Sequence, residues 1–298
     1  MKWQFERVAG PFQGPTGGLA WEGETLLFSV INEGKILRYD PRSGAVTEFR
    51  RYTNRTNGIA LGKHGGLYGC QEGSRRIIEF RPDGSTAPTA WLLDGRYHNF
   101  PNNLCVDRGG RIWFSDPHSQ VRASGPQIFP QLDHASVLRL ERDERHAWKI
   151  KRVTCDTAAP RAVLLSPDER TLYVAEGDTG RDGPRELRAY PVRDDGSVGA
   201  YAVLHTFGSD HRGAHRGIEG MCLDSEGNIV ACAGWKKSGV GPSIYVISAS
   251  GTILETHPAP ADMPMRCAFG DAGLDSLYLT TGEGHLYRAQ GTGRRGSR

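Results

Sequence analysis

One pattern recurs along the chain and limits what it can fold into. It reads "GIALGKHGGLYGCQEGSRRIIEF" from Gly58, "NLCVDRGGRIWFSDP" from Asn103, "AVLLSPDERTLYVAEG" from Ala162, "GMCLDSEGNIVACAG" from Gly220 and "CAFGDAGLDSLYLTTGEGHLYRA" from Cys267. A looser copy, "GLAWEGETLLFSVINEGKILRYDPRSGAV", starts at Gly18. Each copy runs from a short apolar strand through an Asp/Gly/Ser turn to a second strand of aromatic and β-branched residues. A polar loop follows, then a third strand such as "KILRYD", "SVLRL" or "SIYVI". Short apolar runs separated by Gly/Asp turns recur with no long 3.6-residue periodicity, and 39 Gly and 17 Pro punctuate them. Units spaced roughly 40 to 60 residues apart, each unable to bury its faces alone, predict an all-β fold, a six-bladed β-propeller. Radial closure also hides the sheet edges that an open stack would expose. The segment "KWQFERVAG" precedes the first copy and is predicted to supply the outer strand of the last blade. Residues 1–290 are thus expected to form one domain, with 291–298, "GTGRRGSR", as a disordered tail.

Other classes are disfavoured by composition. With 298 residues and a formal net charge of +3, the chain carries scattered rather than clustered basic residues, which argues against a nucleic-acid partner. The start has no apolar h-region, and no run reaches the ~18 apolar residues of a membrane span, so a cytoplasmic protein without a membrane partner is expected. Of the six cysteines, five lie in apolar strand patterns and none in a CxxC pair, so reduced, buried thiols are expected. Cys222 and Cys232 flank one hairpin, which leaves a disulfide between them open.

In a propeller the innermost strands line the axial channel, and their first residues meet at its mouth. Aligning the copies puts Gly17, Asn57, Asn102, Arg161, Glu219 and Arg266 at that position. A carboxylate opening a buried strand is costly unless it has partners, so Glu219 is expected to face a shared polar funnel. The alternative is that the asparagines serve only turn chemistry and that the arginines pair locally to fill the channel. The loops on the same rim include a blade-three insertion, "DPHSQVRASGPQIFPQLDHAS", together with "EGDTGRDGPRE" and "GWKKSGVGPS". His118 and His134 bracket the insertion; His211 and His215 precede Glu219, with His215 the better placed. Long loops on one rim of a rigid scaffold are where specificity elements belong.

These segments resemble the SMP-30/gluconolactonase/luciferin-regenerating-enzyme family. "NFPNNLCVDRGGRIWFSDP" is similar to that family's Asn-Ser-Pro-Asn-Asp strand start and Phe-Thr-Asp-Pro ending, "GIEGMCLDSEGN" to its Pro-Asp-Gly-Met start, and "MRCAFGDAGLDSLYLTT" to its Thr-Asn-Cys-Ala-Phe-Gly-Gly segment. The likeness spans roughly Gly14 to Arg288 and implies six-bladed propellers, mostly lactone hydrolases, with one divalent cation (Ca, Zn, Mg or Mn) in the channel. It implies Glu219 as a metal ligand and Asn102 as a contact to metal-bound water or substrate. The chain departs from the pattern elsewhere. Gly17 stands where the family's Glu-Gly-Pro-x-Trp motif has its metal-binding Glu, and Arg161 stands where Pro-Asn-Gly supplies an Asn ligand.

The expected chemistry follows from both readings. Glu219 and Asn102 are the candidate catalytic residues and the only candidate metal ligands. Arg161, Arg266, Asn57, Asn103, His118, His134 and His215 are the candidate substrate-binding residues. Two arginines in one funnel favour an anionic small molecule, such as a carboxylated lactone or related cyclic ester or amide. Three activities stay open: a hydrolase of such a substrate, a metal-independent lyase or cyclase using Glu219 in the manner of strictosidine-synthase-like propellers, and a propeller that binds small anions without turnover.

Overall fold

The computed structural model describes residues 2–62, 65–177 and 183–297. Among them are six four-stranded antiparallel sheets and no helix, hence none long and apolar enough to cross a membrane. Blade one runs Thr16–Glu22, Thr25–Val30, Lys35–Tyr39 and Val46–Arg51; blade two Thr56–Leu61, Leu67–Gln71, Arg76–Phe80 and Thr86–Pro88. Blade three comprises Leu104–Val106, Ile112–Asp116, Ser136–Arg142 and Trp148–Arg152; blade four Pro160–Leu165, Thr171–Glu176, Arg185–Pro191 and Ala202–Phe207. Blade five comprises Ile218–Leu223, Ile229–Trp235, Ser238–Ile247 and Ile253–Pro258. Blade six takes Pro264–Gly270, Ser276–Thr281 and Leu286–Ala289 from the end of the chain and Phe5–Ala9 from its beginning, with Phe5 opposite Ala289 and Arg7 opposite Tyr287. The predicted closure by the first strand is therefore present. Each innermost strand touches those of both neighbouring blades, so the ring is complete.

There is no central core. The buried apolar residues divide into six clusters, one for each pair of adjacent blades. Strand geometry explains this, because successive side chains leave opposite faces of a sheet. In blade four Leu172 and Val174 pack towards blade three, whereas Tyr173 and Ala175 pack towards blade five. In blade five Ile229, Ala231 and Ala233 meet blade four, while Val230 and Cys232 meet blade six. Both faces are covered, so the second strands read as continuous apolar runs rather than alternating ones. The turns follow from their residues: the Asp107 carboxylate accepts from Arg111 N at 2.9 Å, and Gly110 takes the left-handed conformation (φ 80°) that a side chain disfavours.

One expectation is corrected and one open alternative is closed. Residues 291–297 are not a free tail but lie across blades five and six. Arg294 reaches Asp224 and Glu255, each at 2.5 Å, Trp3 Nε1 donates to Thr292 O at 3.0 Å, and Gly296 bridges to Asp224. A basic, Gly-rich composition reads as solvated until the acids that fix it come from elsewhere in the chain. Cys222 and Cys232 are not opposed either, since Cys222 pairs with Val230 and Gly220 with Cys232. All six cysteines are free thiols, and Cys222 Sγ lies 3.6 Å from Cys267 Sγ.

Candidate active site

The first residues of the innermost strands meet as expected, and local irregularities aim them. Register shifts bracket Gly17 (16–19), Asn57 (56–59), Arg161 (160–162) and Glu219 (218–220), and one borders Arg266 (264–266). Such bulges turn a side chain out of the sheet's alternation, here into the channel mouth. The glycine that follows lets the strands close in. A Cβ on Gly58 would lie 2.7 Å from Asn102 O, and one on Gly220 would lie 2.3 Å from Met265 O.

Glu219 sits at the centre of a cationic cluster. Its Oε2 accepts from Arg216 Nη2 at 2.9 Å and lies 3.7 Å from Arg161 Nε, while Oε1 is 3.5 Å from Arg266 Nη1. Burial pushes the carboxyl up, but Arg161, Arg216 and Arg266 together outweigh burial and hold it at about 2. Arg266, 3% exposed, crosses the channel. Its Nη1 donates to the Glu219 and Met265 carbonyls, and its Nη2 donates to Asn102 Oδ1 at 2.6 Å and lies 3.5 Å from Asn57 Oδ1. Gly17 contributes its carbonyl, an acceptor for Thr280 Oγ1 at 2.8 Å. Access falls through the cluster: the side chain of Arg161 is 23% exposed, that of Arg216 11% and that of Arg266 4%.

The other candidates are dispersed. Asn103 lies one residue below the mouth, and its Oδ1 accepts from Val163 N at 3.0 Å, tying blade three to blade four. His215 is buried, stacked on Phe207 with ring centroids 4.5 Å apart; its Nδ1 accepts from Gly217 N, and burial chiefly holds it at about 4. His134 bonds through Nδ1 to Ser136 Oγ at 2.8 Å, and its carbonyl accepts from Asn99 Nδ2. His118 is half-buried at the start of the insertion, and burial, with Arg152 nearby, lowers the proton affinity of His134. The insertion itself reaches back to blade two, with Ser124 N donating to Gly73 O at 2.7 Å. In the loop "EGDTGRDGPRE", residues 178–182 lie outside the described residues.

Two groups at the mouth were not among the candidates. Arg216 precedes the bulge by two residues, outside the register of the repeat. Glu72 follows the second strand of blade two; its Oε1 accepts from Asn57 Nδ2 at 2.8 Å and its Oε2 pairs with Arg55 Nη2 at 3.2 Å.

A divalent cation does not fit this donor set. Asn102 Oδ1 and both oxygens of Glu219 already face guanidinium groups, and a cation among three arginines would meet strong like-charge repulsion. A Cβ on Gly17 would lie 2.8 Å from Asn57 Oδ1, so the space of a longer side chain is taken. Among the described residues, no three His, Cys, Asp or Glu side chains are grouped to hold a metal.

The lower end of the channel differs. Leu19, Ile59, Leu104, Met221, Leu223 and Phe269 line a cavity of about 700 Å³, with Arg266 also on its wall and Gly296 and Ser297 against it.

Comparison with known proteins places this geometry. Residues 15–283 match the model of the SMP-30/gluconolactonase/LRE-like region. A gluconolactonase of Zymomonas mobilis is 25% identical over 231 residues, 76% of this chain, and the match spans 60% of that protein's length. A 6-deoxy-6-sulfogluconolactonase of Pseudomonas putida is 24% identical over 87% of this chain and 79% of its own. The solved structure of a Xanthomonas campestris gluconolactonase superimposes with a TM-score of 0.78 at 27% identity, covering 97% of this chain and 89% of that one.

Proposed function

The chain belongs to the SMP-30/gluconolactonase/LRE-like family, and on that premise we propose that it is a lactonase-type hydrolase acting on a small lactone with an anionic substituent, held at the charged mouth of the channel. The observation that carries this reading is the placement of Arg161 and Arg216 around Glu219, both partly exposed to the mouth. Both relatives are named for lactone hydrolysis, and one for a sulfonated lactone. Guanidinium groups suit both a carboxylate, sulfonate or phosphate substituent and the oxyanion that forms when water adds to the ring carbonyl. Glu219, fully ionised, holds the guanidinium groups in place before substrate arrives, and Asn102 fixes Arg266. No step requires a metal.

The test is hydrolysis of D-glucono-1,5-lactone and its 6-phospho and 6-deoxy-6-sulfo analogues, followed by proton release. The expected result is a kcat/KM at least ~10-fold higher for the anionic lactones, a preference that Arg161→Met removes. Equal rates on neutral and charged lactones would overturn the anion preference. Binding of the charged lactones without turnover would replace the hydrolase reading with that of an anion-binding propeller.

A further inference from the structure

Two of the second strands end in an acid at the mouth face, and both acids are used structurally. The Asp116 oxygens accept from Asn99 N and Phe100 N, both at 2.8 Å, and Glu176 Oε1 accepts from Ala158 N and Ala159 N at 2.8 and 2.7 Å. Each carboxylate thereby pins the segment that leads into its own blade's innermost strand. In blade two the corresponding position is Gln71, and Glu72, one residue further on, carries a carboxylate that bonds to no such backbone pair. Its partners are two side chains of the mouth, Asn57 and Arg55, and it is only 4% exposed. Asn57 in turn faces Arg266, so polar contacts run from Glu72 through Asn57 and Arg266 to Asn102 and Glu219. The blade-three insertion closes over this side of the mouth, where Ser124 N donates to Gly73 O.

Resting on the lactonase reading, we infer that Glu72, and not Glu219, is the catalytic residue that takes and returns the proton during ring opening. As the water oxygen bonds to the ring carbonyl carbon, one water proton passes to the Glu72 carboxylate, and the carbonyl electron pair moves onto oxygen beside the arginines. Collapse of this adduct breaks the bond between the carbonyl carbon and the ring oxygen, and Glu72 returns the proton to the departing alkoxide. The sum is lactone plus water giving the hydroxy acid. Glu219 is poorly suited to the task, because a carboxylate matched to three guanidinium groups has little affinity for a proton near neutrality. Glu72 is different: burial pushes its carboxyl above the usual glutamate range, against the pull of Asn57, Arg55 and, from blade six, Arg266. Two carboxylates in one site with proton affinities driven apart commonly divide such roles.

The experiment compares wild type, Glu72→Gln and Glu72→Asp on the 6-phospho lactone from pH 4 to 8, with thermal melting to confirm folding. A raised pKa makes Glu72 a base only above that pKa, so wild-type kcat/KM rises with pH through a midpoint above the ordinary glutamate value. Glu72→Gln is expected to lower kcat at least ~100-fold with KM within about 3-fold and to abolish the rising limb; Glu72→Asp restores part of the rate and keeps the limb. If Glu72→Gln melts as wild type does and retains both rate and limb, the inference is overturned while the lactonase reading stands. If wild type hydrolyses none of the lactones, the lactonase reading falls and the role of Glu72 in ring opening falls with it.

Discussion

The same six strands build both ends of the axial channel, yet one end is a ring of charge and hydrogen bonds while the other is an apolar cavity of about 700 Å³. The difference comes from where the strands are regular. At the mouth, bulges release the leading residues from the sheet's alternation and direct polar groups inward, where each must find a partner. Below the bulges the inward positions are mostly apolar, and the few polar groups there, such as Asn103, are paired to the neighbouring strand. The charged groups gather mostly where the repeat is broken, and the unbroken stretch packs as scaffold.

Removing the one carboxylate at the centre of the cluster breaks this comparison most severely. In Glu219→Ala, Arg216 and Arg266 stay buried without their shared anion, and the loss of one partner from a buried pair costs about 3–5 kcal/mol. Urea denaturation at neutral pH is expected to show that loss, whereas truncating the apolar Met221 at the lower end should cost about 2–3 kcal/mol. A Glu219→Ala protein no less stable than Met221→Ala would show that the cluster is not held together by its carboxylate.

The two ends also differ in how far the sequence discloses them. Scaffold and cluster centre were legible because both belong to the repeat: the apolar runs mark the second strands, and the position before each copy marks Asn57, Asn102, Arg161, Glu219 and Arg266. Arg216 was not legible, since its place is set by a loop ahead of the bulge with no counterpart in other copies. Glu72 was not legible because it lies one residue past the end of its strand, outside the aligned positions of the repeat, and only its partners bring it to the mouth. Proximity in sequence to Glu219 gave His215 no direction, and its ring turns to Phe207. The last residues were misjudged because their composition cannot show that Asp224 and Glu255 await Arg294.

Those last residues sharpen the comparison from below, where the chain end closes over blades five and six as a strap. Deleting 291–298 leaves Asp224, 1% exposed, without its arginine and Trp3 Nε1 without an acceptor. Asp224 keeps its bonds from Glu226 N and Asn228 N, so the expected cost is smaller, about 2–3 kcal/mol by denaturation. The mouth should be untouched, with KM for the charged lactone within about 2-fold of wild type. A large rise in KM would mean that the strap acts across the channel on the arginines.

The smallest expected effect is that of divalent cations, which tests whether the mouth is complete without one. A cation with a Kd near ~10 μM, supplied at ~1 mM, would stabilise the fold by about 2.7 kcal/mol and raise Tm by several degrees. Binding would require Asn102 Oδ1 to release Arg266 Nη2 and Glu219 to release Arg216, and each released guanidinium would stay beside the incoming charge. Calcium, magnesium and manganese are therefore expected to shift Tm by less than ~1 °C, and EDTA to leave both Tm and the rate of lactone opening unchanged. A cation-dependent rise in Tm that Glu219→Gln removes would show that the arginines yield to metal, and the mouth would then have to be redrawn around the cation rather than around Arg266.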